Sequence, residues 1–590
     1  MTRNTLRSIY RRIRNHPSLR GVKSDEPYEP VKHHWFYKTE VDGQKLWKPF
    51  SNLDSLALET SYLTTSIGIE KIVSTDGGRF EVNLSFRERR PIYWIATISE
   101  IRRCSWFYKT NFSSHFIPFD EDVAEILENE FQRGYETNVW HRTINLPNDD
   151  IVAFNTPEDM MLLPSVSRHH HQEKRVKRGI DSKFELPPDE SEEVDHLMFA
   201  VHGIGSTCDL NLRSIEEVVN ILRNRLHSVV QVCNSVDSRM RTRVEVLPVN
   251  WHNTLHNKNS KTDKNLRGLT LETLPLLRNF INDTLVDILF YSSSIYNHVI
   301  VTTVVNEMNR IYEIFKRRNP TFHGEVSILG HSLGSVIAFD MLCHQALEFY
   351  PDHELDPEEE NKLPKVQCNT YENRINLFSN EKTKNTIDCP QLNFHPLAFF
   401  AIGSPIGLFL TVRGIDKLGT ELYFPTCENF FNIFHPCDPI AYRIEPLINE
   451  EFENVKPVLI PNKDFKYLHL KLKGAVMKVS DDVTEKITSF FNPSCLAFLR
   501  SIYLSLNNVS YGARQMSFNT VKSVNKLDES LLGGYNPGNL NRGRRVDYVL
   551  QGSTIEYINE YVCALSSHAC YWDSTDVVEL IVEELYSYTE

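Results

Sequence analysis

At 590 residues the chain is too long for one compact core and is expected to form roughly two to four domains. Its 41% hydrophobic and 24% charged residues are those of an ordinary globular protein, and a formal charge of −13 argues against nucleic acid as the main partner. Eleven cysteines without a C-x-x-C pair fit reduced thiols better than a disulfide framework or a zinc site.

The first residues are basic: Arg3, Arg7, Arg11, Arg12, Arg14, Arg20 and Lys23 all precede the first acid, Asp25. Leu6, Ile9, Tyr10 and Ile13 would share one stripe of a helix. This pattern suits a mitochondrial presequence or contact with an anionic membrane, against the plainer reading of a solvated basic tail over residues 1–30. No secretory signal peptide is visible. The longest uncharged run, Ile288 to Asn306, carries too many serines, threonines and asparagines to span a bilayer and reads as an ordinary helix.

Residues 31–164 are rich in aromatics and contain an internal echo. Trp35-Phe36-Tyr37-Lys38-Thr39 recurs as Trp106-Phe107-Tyr108-Lys109-Thr110, and each copy leads to a Pro-Phe pair, Pro49-Phe50 and Pro118-Phe119. Helix-like segments follow, Ser51 to Tyr62 and Asp120 to Phe131. Asp42-Gly43 is a two-residue hairpin turn between alternating arms. Hairpin plus helix, twice, makes a small α+β module whose aromatics either line a ligand groove or fill a core. Residues 165–193, with His169, His170, His171, a basic cluster, Pro187-Pro188 and a run of acids, read as a disordered linker.

From Val194 onward apolar runs alternate with helical periodicity. Strands are expected at Leu197–Val201, Val244–Val249, Val326–Leu329, Leu397–Ile402, Phe430–Phe434 and Arg545–Leu550. Helices are expected around Leu276–Leu289, Ser335–Leu342, Pro493–Leu506, Thr554–Leu565 and from Ser574 to Tyr586. The Leu276–Leu289 stripe is core by default and a lipid-facing lid as the sharper reading. Residues 352–389 are polar and acidic and read as a mobile insertion. The alternation predicts an α/β fold with a mostly parallel sheet, an α/β-hydrolase-like domain over residues 194–590.

The chemistry centres on Gly330-His331-Ser332-Leu333-Gly334. This G-x-S-x-G sits between a strand and a helix, the context of a nucleophile elbow. A serine hydroxyl needs a base and a third group that orients the base. Asp438 lies just past an expected strand end, and His568 lies in a late loop, so the chain order Ser332, Asp438, His568 matches that of α/β-hydrolases. Asp547 and Asp576 compete for the carboxylate role, although Asp576 is also explained as a charge at a helix start. His331 and His435 are too local to act as the base and read either as packing groups or as groups that support the catalytic side chains from behind. The oxyanion hole would use the Leu333 amide and amides of the His202–Ser206 loop, Ile204 and Gly205.

These residues resemble the DDHD-domain family of intracellular, phosphatidic-acid-preferring phospholipases A1. The resemblance rests on His202-Gly203-Ile204-Gly205, the elbow, Gly403-Ser404-Pro405, Asp547-Tyr548-Val549-Leu550-Gln551 and Ser567-His568-Ala569-Cys570-Tyr571-Trp572. The aromatic module is similar to the WWE-like region of that family, and the DDHD region would cover residues 393–590. The resemblance implies hydrolysis of a glycerophospholipid at the sn-1 acyl ester, through an acyl-serine. No cofactor is required; a divalent metal on Asp438, Asp547, His568 and Asp576, the family's name-giving set, is the minor alternative. Expected partners are the phospholipid substrate, anionic membrane surfaces and a second copy of the chain. Expected placement is cytoplasmic and peripheral on organelle membranes, or mitochondrial through the basic N-terminus. A trafficking scaffold that binds acidic phospholipid is the competing function.

Overall fold

The computed structural model describes residues 28–251, 291–346, 389–461, 534–551 and 567–587, with residues 269 and 288, less 42–43, 65–70, 110–115, 164–173, 182–183, 185, 204–213 and 237–240. The basic tail, the three histidines, the Leu276–Leu289 stripe, the 352–389 insertion and the helices expected at 493–506 and 554–565 lie outside or largely outside the described residues. The chain divides into two compact units, Met1–Glu193 and Val194–Glu590.

The first unit is a duplication. Its first copy runs β1 (His34–Val41), β2 (Gln44–Pro49), α1 (Asn52–Leu63), β3 (Ile72–Thr75), β4 (Phe80–Asn83), β5 (Glu88–Pro91) and β6 (Ser99–Cys104). Its second runs β7 (Trp106–Lys109), β8 (Ile117–Pro118), α2 (Glu121–Thr137), β9 (Arg142–Asn145), β10 (Ile151–Phe154), β11 (Met160–Leu163) and β12 (Lys174–Arg178). The two six-stranded sheets have equivalent orders, β2-β1-β6-β5-β4-β3 and β8-β7-β12-β11-β10-β9. The register repeats as well: Phe36 faces Pro49 as Phe107 faces Pro118, and Trp35 faces Arg103 as Trp106 faces Arg178.

One open alternative is decided here and one expectation is corrected. The echoed tryptophans are fully buried core residues, not an exposed lining, because each indole N–H has a partner inside: Trp35 donates to Glu59 at 3.0 Å and Trp106 to Glu128 at 2.9 Å. Each glutamate is in turn held by an arginine of the facing strand, Arg103 or Arg178. The stretch expected as linker contains β12, whose pairing with β7 and β11 completes the second sheet. Beyond it, the acidic run is anchored on the first copy, where Asp189 accepts from the Leu53 amide at 2.8 Å and Glu190 pairs with Arg79.

The second unit is built on seven strands, all parallel. They are β13 (His196–Val201), β14 (Val244–Val249), β15 (Glu325–His331), β16 (Pro396–Ile402), β17 (Asn429–Phe434), β18 (Val458–Leu459) and β19 (Asp547–Val549). Their order is β14-β13-β15-β16-β17-β19-β18. The central strands are continuous apolar runs because both faces are covered. On one face α3 (Ile215–Val236) and the last helix, α8 (Thr575–Ser587), bury Val218, Leu222, Val578 and Ile581 against Met198, Ala200, Phe400 and Phe431. On the other, α4 (Ser294–Arg318) packs against α5 (Leu333–Cys343), the helix that starts at the elbow. Short helices α6 (Ile406–Val412) and α7 (Glu445–Ile448) follow β16 and β17.

Register sets the site. Gly330 pairs with Val201, His331 with Ile402 and Ile402 with Ile433, so β13, β15, β16 and β17 end at nearly one level. Parallel sheets bind at the carboxyl ends of their strands, and four loops emerge together here.

Candidate active site

Ser332 follows β15 directly and carries φ 53° and ψ −128°, a conformation costly for a side chain other than glycine. Its main chain is pinned from three sides. Its N–H donates to Ile402 O at 3.2 Å, and its carbonyl accepts from the Ser335 amide at 3.0 Å and the Ser335 hydroxyl at 2.5 Å. Ser335 Oγ, its proton spent on that carbonyl, accepts from the Ser404 hydroxyl at 2.7 Å, tying the elbow to the loop after β16. This is the strained strand-to-helix turn expected of a nucleophile elbow.

Gly203, just past β13, lies against the same turn. A Cβ on Gly203 would lie 2.2 Å from the Leu333 nitrogen, so only glycine lets this backbone approach the amide after Ser332. His202, the preceding residue, accepts a 2.8 Å hydrogen bond from Trp251 Nε1 on its carbonyl, which fixes the loop's departure. Ile204 and Gly205, the expected oxyanion donors, lie outside the described residues; Leu333 opens α5 and is buried.

Asp438 lies in the loop after β17 and is 7% exposed. His568 Nδ1 sits 3.0 Å and 3.1 Å from the two Asp438 carboxylate oxygens, so the structure brings these two residues together across 130 positions. Asp438 also accepts from the Ile440 amide at 2.9 Å and from the Tyr571 hydroxyl at 2.6 Å. Burial by itself would raise its pKa, but the hydrogen bond and charge of His568, with those from Tyr571 and Ile440, outweigh it and hold it below the ordinary carboxylate value. With Nδ1 against a carboxylate, His568 keeps Nε2 as its acceptor, and that atom is buried and without a hydrogen bond among the described residues. Ser332 Oγ and His568 Nε2 are not hydrogen-bonded to each other; catalytic contacts of this kind often tighten when substrate binds.

His331, expected as a packing or supporting group, spans the gap. Its Nε2 lies 2.8 Å from His568 O, so the residue before the nucleophile grips the main chain of the candidate base. Burial, reinforced by the neighbouring His568, lowers its pKa to about 3 and keeps the ring neutral. Gly403 lies beneath the pair with φ +56°. A Cβ there would meet Tyr571 Cε2 at 2.7 Å, Asp438 Oδ2 at 3.0 Å and His568 Nδ1 at 3.3 Å.

The competing carboxylates are elsewhere. Asp547 faces Asn432, two residues before the end of β17, and its oxygens are taken by Asn432 Nδ2 at 2.9 Å, Arg443 Nε at 3.1 Å and the amides of Ile444 and Glu445. Burial and the nearby Glu445 raise its pKa to about 6. Asp576 stands in the first turn of α8. Among the described residues no three His, Cys, Asp or Glu side chains are grouped to hold a metal, and Asp438, Asp547, His568 and Asp576 do not converge on one point. The sequence reasoning had no role for Gly403 or Tyr571. Both stood inside quoted motifs, but no spacing rule connects residues 403, 438 and 571, which meet only when β16, β17 and the α8 approach are side by side.

Comparison with known proteins gives the same outline. The DDHD domain model matches residues 392–530 and 513–586, and the WWE domain model matches 108–182, the second of the two copies. A mouse protein named triacylglycerol hydrolase DDHD2 is 35% identical, covering 96% of this chain and 94% of its own. Mouse SEC23-interacting protein is 32% identical, covering 95% and 73%. Caenorhabditis elegans intracellular phospholipase A1 is 28% identical, covering 73% and 58%. With the mouse hydrolase 35% identical along nearly the whole of both chains, and with the DDHD model matched at the C-terminal half, the chain belongs to the DDHD-domain family.

Proposed function

We propose that the protein is a serine-dependent lipid ester hydrolase that cleaves the sn-1 acyl ester of glycerophospholipids, phosphatidic acid among them. One observation carries this reading: the His568–Asp438 pair, with its carboxylate buried, stands at the same end of the sheet as the strained Ser332, and His331 links the two. Relatives named as a triacylglycerol hydrolase and as a phospholipase A1 support the lipid ester class.

In the proposed reaction His568 Nε2 takes the Ser332 proton as Oγ attacks the ester carbonyl. The Leu333 amide and an amide of the 204–205 loop receive the charge that develops on oxygen. The imidazolium returns its proton to the departing lysophospholipid alkoxide, leaving an acyl-serine. Water then loses a proton to His568 and releases the fatty acid. Asp438 holds the imidazole tautomer and stabilises its cation. No step calls for a metal.

Peripheral binding to anionic organelle membranes follows from the substrate, with cytoplasmic placement, or mitochondrial placement through the basic N-terminus. Among the described residues no helix is long and apolar enough to cross a membrane. A SEC23-interacting relative favours a second reading, a trafficking scaffold that binds acidic phospholipid. Labelling by a fluorophosphonate probe separates the two. Ser332→Ala is expected to abolish both labelling and the release of fatty acid from a phospholipid panel, read by mass spectrometry of products. Unlabelled wild-type protein that still binds acidic vesicles would favour the scaffold.

A further inference from the structure

Tyr571 is fully buried, three residues after His568 in the turn that leads to α8. Its hydroxyl has one proton to give, and the geometry decides where it goes. The His435 amide donates to the phenol oxygen at 2.9 Å, which occupies a lone pair and turns the O–H toward Asp438 Oδ2, 2.6 Å away. One phenol therefore joins the first residue of the Asp438 loop to the carboxylate in the same loop. It sits on the segment that also carries His568. The ring edge rests on Gly403, where a side chain would collide with it at 2.7 Å.

We propose that Tyr571 is a positioning residue of the reaction, one that orients Asp438 against His568 and sets the basicity of the imidazole; this rests on the serine hydrolase reading above. Asp438 is shared between two donors, Tyr571 and His568 Nδ1. A carboxylate that gives part of its charge to a phenol holds an imidazolium less tightly. With the phenol in place, the carboxylate is held against Nδ1 with part of its charge committed elsewhere. Without it, Asp438 pulls the proton on His568 harder and can rotate away from the ring. The phenol keeps its proton, since burial and then the charges of Asp438 and Cys570 push its pKa up. The other titratable groups facing the cluster are His331 and His202 from the ends of β15 and β13, and His435 from the Asp438 loop. The exchange used here keeps all of them.

The test is Tyr571→Phe in the full chain, which preserves the buried ring. Hydrolysis of a soluble short-chain phospholipid is followed from pH 5 to 9, together with the rate of fluorophosphonate labelling and a thermal melt. The expected outcome is a kcat lower by about three- to ten-fold with KM unchanged, and an acid limb of kcat/KM displaced upward by about half to one pH unit. In an Asp438→Asn background the same exchange should leave the residual labelling rate unchanged, because the carboxylate it acts through is gone. An unshifted acid limb, or an equal loss of labelling in both backgrounds, would overturn the proposal and leave a packing role, whatever the melt shows. Should Tyr571→Phe fail to fold, Tyr571→Met and the Asp438→Asn cycle are read in the same way. Wild-type protein that neither labels nor hydrolyses would sink the parent reading as well; a labelled wild type with an unshifted limb would sink this one alone.

Discussion

At the scale of single residues, the site depends on atoms that are absent as much as on those present. Gly403 is the sharpest case. It has φ +56°, and a methyl group there would press on Tyr571, Asp438 and His568 together. Gly403→Ala is therefore expected to lower kcat by about 100-fold through displacement of the pair, with much smaller change in KM. Steady-state kinetics with a circular dichroism spectrum check it, and unchanged kcat would show that the loop absorbs the methyl freely. The Ser332 elbow was legible in the sequence because a strained turn between a buried strand and a buried helix demands small flanking residues in a fixed order. The partnership of His568 with Asp438 was favoured by the strand-end position of Asp438, with Asp547 and Asp576 still in competition. The grip of His331 on His568 O was not, because a hydrogen bond across 237 positions leaves no periodic trace.

At the scale of elements, the segment after the Asp438 loop is held by a buried polar network as well as by the buried side chains of Ile444, Ile448 and Phe452. Asp547 on β19 binds Arg443 and the amides of Ile444 and Glu445. Glu445 on α7 binds Arg545 and accepts from the Val546 amide at 2.9 Å. Asn432 bridges β17 to both sides, donating to Asp547 and to Tyr442 O. Removing one member leaves a charge buried without its partner. Asp547→Ala is expected to destabilise the unit by about 3 kcal/mol, and the Arg443→Ala/Asp547→Ala double variant by less than the sum of the singles. Denaturant titration of the four proteins tests this, and additive losses would deny the coupling. Asp547 stood out in the sequence as a candidate catalytic carboxylate. Its pairing register assigns it instead to the interior of the sheet, which one residue's identity could not reveal.

For the whole molecule, the two compact units should titrate separately. Asp54, in the first turn of α1, has its pKa raised to about 6, chiefly by burial, which outweighs the hydrogen bond from the Asp76 amide; the charges of Asp76 and Glu190 raise it further and that of Arg79 lowers it. The folded unit thus keeps a proton that the unfolded chain has already lost between about pH 4 and pH 6, so stability falls as pH rises through that window and is level above it. Asp54→Asn should raise the melting temperature of the 1–193 unit by a few degrees at pH 7.5, flatten its dependence between pH 4 and 6, and leave the transition of the 194–590 unit in place. Differential scanning calorimetry at several pH values measures both. A variant that melts lower at pH 7.5 would refute the assignment.

The local grammar of this protein is written in its residues. It set the positions of the central strands, the elbow and its serine, the parallel α/β class and the tryptophan echo, because these follow from steric rules and hydrophobic periods that act over a few residues. It did not determine whether the echoed aromatics face a groove or a core, that Lys174–Arg178 would complete a sheet, or which of three aspartates would meet His568. Tertiary structure decided those. Burial and hydrogen bonding between residues a hundred positions apart depend on which strand lies beside which and at what register, and that emerges only when the whole sheet is assembled.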